Sequence, residues 1–68
     1  MAPARVYVNR AEIAELAALP GIGPRKAERI LQARATSPIT SLEELAKAAG
    51  GIPKASLERI APYVRFEP

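Results

Sequence analysis

The chain contains no cysteine, no histidine, no aspartate and no tryptophan. Without cysteine there is no disulfide framework and no thiolate metal site. Without histidine and aspartate the commonest catalytic bases and metal ligands are gone, and glutamate alone remains. The glutamates show no metal-ligand spacing. The expectation is a protein that is not an enzyme and needs no metal or cofactor. No apolar run approaches the length of a membrane span, and the N-terminus lacks the apolar core of a signal peptide. The chain is therefore expected to be soluble and to make no membrane contact of its own.

What is present is short and mildly basic. A length of 68 residues allows one small domain, marginally stable unless its helices pack well. Ten Lys and Arg against seven Glu leave a net charge of +3. That excess suits a polyanionic partner.

Local signals divide the chain. Residues 1–5 read as a frayed end. Val6-Tyr7-Val8 is a brief β-rich run, too short to be a sheet by itself. Asn9 reads as a helix N-cap, with Glu12 three residues on completing a capping-box pair. A first helix follows over about 10–18, with Ile13, Leu16 and Ala17 on its apolar face. Pro20 and Gly21 stop it.

Leu19-Pro20-Gly21-Ile22-Gly23-Pro24 is a hairpin between two helices. Pro24 stands at the first helical position, where its missing N–H costs nothing. Arg25 and Lys26 follow at once. A helix opening there points free backbone N–H groups out of a glycine-rich turn, and the positive end of its dipole falls at the same place. Such a turn is a seat for phosphate. The second helix runs to about Ala35, with Ala27, Ile30 and Leu31 inward. Ile39 is expected as a hydrophobic staple, Ser41 as the cap of a third helix and Glu44 as the residue reaching back to it. That helix, with Leu42, Leu45 and Ala49 inward, ends near Ala48. Gly50-Gly51-Ile52-Pro53 is a second hairpin. A fourth helix over about 54–61 buries Leu57 and Ile60. Tyr63 to Phe66 closes the chain as an extended segment.

The chain repeats itself. Gly21-Ile22 through Glu28-Arg29-Ile30 aligns with Gly51-Ile52 through Glu58-Arg59-Ile60 at an offset of 30 residues. Glu15-Leu16-Ala17 aligns with Glu44-Leu45-Ala46 at an offset of 29, so the second hairpin is expected to be one residue longer. One helix–turn–helix unit is used twice. Neither has enough apolar face to fold alone, and two packed about a pseudo-twofold axis bury a common core.

Leu-Pro-Gly-Ile-Gly with Ala27 four residues after the second glycine resembles the helix-hairpin-helix DNA-binding motif. With its second hairpin, the chain resembles a tandem helix-hairpin-helix domain. Val8-Asn9-Arg10-Ala11, the stretch Ile39 to Leu45 and Pro62-Tyr63-Val64 resemble the corresponding pieces of the ComEA family, the DNA receptors of bacterial competence. The resemblance covers roughly residues 6–66. It implies an all-α fold of four short helices, with hairpins at 19–24 and 50–53, in one domain over 1–68. It further implies binding to double-stranded DNA without sequence preference, by phosphate contacts across the minor groove; the sequence does not give the oligomeric state, and a monomer is favoured.

The residues carried over are Gly21, Ile22, Gly23, Arg25 and Lys26 in the first hairpin, and Gly51, Lys54 and Ala55 in the second. Ile22 and Ile52 are expected to plug their turns. Pro53 departs from the pattern by standing where a second glycine is expected, which removes one donor. Leu57 replaces the small residue at Ala27. Hairpin two is therefore expected to grip more weakly. ComEA receptors carry a membrane anchor and a flexible linker that are absent from these residues. The implied location is the cell envelope if an anchor has been removed, and the cytoplasm otherwise. The alternatives of the same fold are a protein-binding module like the photosystem II subunit PsbU, and an accessory domain of a DNA-repair or processing protein.

Overall fold

A computed structural model describes residues 5–67. The expected fraying of residues 1–4 lies outside them. The elements are β1 (Val6–Tyr7), α1 (Ile13–Ala17), α2 (Gly23–Thr36), α3 (Leu42–Ala48), α4 (Lys54–Ile60) and β2 (Val64–Arg65). The fold is an all-α bundle of four short helices with short extended ends, in which α2 packs on both α1 and α3. Repeat-equivalent residues meet in one core: Leu16 with Leu45, Ile22 with Ile52, and Ile30 with Ile60 are all buried. Full burial of each such side chain contributes about 1.5–3 kcal/mol, which is how two weak units stabilise each other.

The two extended ends pair with one another, a contact the sequence does not announce. β1 and β2 form a parallel ribbon in the register Val6 to Val64 and Tyr7 to Arg65. Val6 N–H donates to Tyr63 O at 2.7 Å, and Val8 N–H donates to Arg65 O at 3.0 Å. Parallel neighbours need a long crossover, and here the whole helical bundle is that crossover. Val6, Val8 and Val64 turn their side chains into the core.

The start of α1 corrects the sequence reading. The helix begins at Ile13, and its N-cap is Glu12 rather than Asn9. Glu15 reaches back so that its carboxylate accepts from the Glu12 N–H at 3.0 Å. Before that, the chain turns on the Tyr7 carbonyl, which accepts from both Arg10 and Ala11 N–H. Asn9 is committed elsewhere: its carboxamide bonds to Ile39 and Phe66. The later start also places Ile13 in the outer first turn, 40% exposed, so Leu16 and Leu19 carry the apolar contact instead.

The third helix is capped nearly as its sequence suggests. Ser41 Oγ accepts from the Glu44 N–H at 3.1 Å. The Glu44 carboxylate, however, passes Ser41 and accepts from the N–H and hydroxyl of Thr40, at 2.8 and 2.7 Å. These charge-assisted bonds hold the Glu44 carboxyl below its ordinary value of 4.5. Ile39, expected as the staple, is buried beside this cap, but it stands two residues before Ser41 rather than directly before it. No helix among the described residues is long and apolar enough to cross a membrane.

Candidate nucleic-acid interface

Hairpin one is built on a turn with proline second and glycine third. Ile22 N–H donates to Leu19 O at 3.1 Å, and Gly21 sits at φ +80°. Those are the marks of a type II turn, which favours this residue order. Ile22 is buried as a plug, and its N–H is used inside the turn. Gly23 follows at φ +69°, outside the right-handed helical region, so regular helix geometry starts at Pro24. The Gly23 and Arg25 amides belong to the opening turn of α2, where N–H groups have no acceptor in a preceding turn. Arg25 is exposed and Lys26 half-buried on that turn.

Hairpin two is closed by other bonds. Gly51 N–H donates to Ala46 O at 2.7 Å and Gly50 N–H to Lys47 O at 3.0 Å. These are the two bonds of a Schellman ending to α3. Positive φ falls at the adjacent Gly50 and Gly51, at +84° and +107°, rather than at alternate residues. The extra residue expected in this hairpin lies in α3 instead. α3 has seven residues against five in α1, and residues 49–53 and 18–22 make connections of equal length. Pro53 is the N-cap of α4, and the exposed Lys54 and Ala55 open that helix.

The glycines divide by what surrounds them. A Cβ at Gly21 would come within 2.5 Å of Ser56 Cβ and Oγ, so hairpin one packs directly on α4. A Cβ at Gly50 would overlap the guanidinium of Arg29. At Gly23 and Gly51 it would meet nothing within 4 Å. Each hairpin thus has one glycine turned to the protein and one open to an approaching ligand. Of the expected residues, Gly23, Arg25 and Lys26 cluster at hairpin one, and Gly51, Lys54 and Ala55 at hairpin two. Gly21 and Ile22 serve the turn itself.

A match with the family model described as a helix-hairpin-helix motif spans residues 2–65. The chain belongs to the helix-hairpin-helix family. The motif is a nucleic-acid-binding one, and DNA is the partner it points to. Neither a curated protein nor a solved structure matches the chain.

The other cations of this helix-hairpin-helix chain include several with structural work. Arg34 Nη1 donates to Val8 O at 2.8 Å, tying α2 to the end of β1. Arg65 Nη1 donates to the carbonyls of Pro62 and Val64. The Arg10 guanidinium lies 4.4 Å from the centre of the Tyr7 ring. A cleft of about 450 Å³ lies away from the hairpins, between Arg10, Arg34, Pro38 and Phe66. Among the described residues no group of three metal-ligating side chains comes together. Sequence reasoning missed Ser56; it weighed Arg29 with Arg25 and Lys26 as a basic residue of α2 and favoured those two for their place at the helix N-terminus. Ser56 stands at the repeat equivalent of Lys26, and a small residue at that position was the available signal.

Proposed function

We propose that this chain binds double-stranded DNA without sequence preference, gripping phosphates across the minor groove with its two hairpins. The observation that carries the reading is the pair of open positive-φ glycines, Gly23 and Gly51, each at or just before a helix with a cation in its opening turn. Backbone N–H groups and lysine or arginine charge hold phosphates, but neither reads bases. The reading assigns no catalytic residue. Gly23, Arg25 and Lys26 form the stronger grip. Gly51, Lys54 and Ala55 form the weaker one, because Pro53 offers no N–H and the Gly51 N–H is already taken by Ala46 O, which leaves Gly51 to supply close approach and the opening of α4 to supply the donors. The resemblance to ComEA extends the proposal to DNA uptake in natural transformation.

The test is affinity for two unrelated duplexes over a salt series. Similar affinities are expected, with a log–log slope of about −0.9 for each phosphate neutralised, or about −2 to −4 for two to four contacts. Absence of binding at low salt would sink the proposal. It would leave the protein-binding alternative of the same fold as the better reading.

A further inference from the structure

The two hairpins are unequal in charge. The repeat places Ala55 and Ser56 where hairpin one has Arg25 and Lys26, so α4 brings only Lys54 to the second seat. A second cation reaches that seat from the other unit. Arg29 stands on α2, yet its side chain crosses to hairpin two. Its guanidinium lies on the backbone at Gly50, where a Cβ would meet Arg29 Cζ at 3.3 Å and Cδ at 3.5 Å and overlap Nη1. The neighbouring Gly51 is open to solvent. The guanidinium therefore lies one residue from the backbone position an incoming phosphate would approach.

The competing role for Arg29 is to cap the negative end of α3. Three of its last four carbonyls already have partners. The carbonyls of Leu45, Ala46 and Lys47 accept from the N–H groups of Ala49, Gly51 and Gly50. Among the described residues Arg34 and Arg65 donate side-chain hydrogen bonds to carbonyls, and Arg29 does not. Its planar fork of N–H donors lies against Gly50 on an exposed side chain and is suited to bidentate contact with a phosphate.

We propose that Arg29 is the missing cation of the second hairpin, so that a nucleic-acid phosphate at Gly51 and Lys54 is neutralised by a residue of the first helix-hairpin-helix unit. This rests on the DNA-binding reading above. The test compares wild type, Arg29→Gln, Arg29→Lys and Arg59→Gln in duplex affinity over a salt series, with a thermal melt of each. Arg59 is the repeat equivalent of Arg29 and controls for loss of one positive charge. Arg29→Gln is expected to lower the magnitude of the slope by about 0.9 and to weaken low-salt binding about tenfold, while Arg59→Gln leaves the slope near wild type. Arg29→Lys is expected to keep the slope and lose part of the affinity. Equal slopes for wild type and Arg29→Gln would overturn the inference with DNA binding intact. Equal losses in Arg29→Gln and Arg59→Gln would also overturn it, by showing a diffuse charge effect. A wild type that fails to bind would overturn the underlying reading as well.

Discussion

The carboxamide of Asn9 pairs with the backbone of Ile39 as one peptide group pairs with another. Ile39 N–H donates to Asn9 Oδ1 at 2.7 Å, and Asn9 Nδ2 donates to Ile39 O at 2.8 Å. The second Nδ2 proton goes to Phe66 O at 2.9 Å. One half-buried side chain thus joins the lead-in to α1, the α2–α3 connector and the closing segment. Asn9→Ala is expected to destabilise the protein by about 2–4 kcal/mol, since it strands partly buried backbone groups. A helix cap at this position would be worth only about 1 kcal/mol. Urea unfolding separates the two, and a loss near the smaller figure would argue against the three-way tie.

Gly21 and Gly23 are expected to respond differently to alanine. Both lie at positive φ, which costs an L-residue about 1–2 kcal/mol. Gly21→Ala adds a collision with Ser56, whereas Gly23→Ala places its methyl in open space. Thermal melts should therefore show the larger loss at Gly21. Duplex binding should fall in Gly23→Ala despite its milder melt, because the new methyl stands where a phosphate is proposed to approach. Equal losses of stability would mean that the contact with Ser56 contributes little.

Lys26→Glu is expected to weaken duplex binding far more than Arg65→Glu. Both change the net charge by the same amount. Lys26 stands on the opening turn of α2, whereas Arg65 is bonded to carbonyls in the closing segment. Side-by-side titrations at one low salt concentration check this. Equal effects would remove hairpin one as the main grip.

Acid should selectively weaken the cap of α3. Glu44 is held below its ordinary value by the hydroxyl of Thr40 first and by its N–H second. A carboxyl with a lowered value in the folded state contributes stability that is full above about pH 4.5 and lost as the pH falls through the folded value. Glu44→Gln should therefore be less stable than wild type at neutral pH, and the gap should close on acidification. Denaturation midpoints at several pH values test this, and a gap that does not vary with pH would contradict it.

The parts of this fold that were legible in the sequence are those set by near neighbours. Pro20 with Gly21, Ser41 with Glu44 and the Gly-Ile repeat each act over a few residues, and each marks a turn, a cap or a unit where the structure has one. What stayed hidden depends on partners far along the chain. Asn9 carries a strong cap signal, yet its carboxamide is taken by Ile39 and Phe66, residues no local pattern connects to it. The same holds for the ribbon, since Val6 and Val64 lie at opposite ends of the chain. Gly50 was legible as a turn residue. Its second requirement, room for Arg29, appears only once α2 and α3 are packed.

The ribbon of β1 and β2 also has a mechanical meaning. Two parallel strands lying side by side send the polypeptide out of the ribbon at opposite ends. A pull applied to the two ends would slide one strand along the other instead of peeling them apart. The bonds from Val6 to Tyr63 and from Val8 to Arg65 would then carry the load together rather than in turn. The helical bundle closes over its own ends with a shear joint, and tension along the chain meets that joint before it reaches either hairpin.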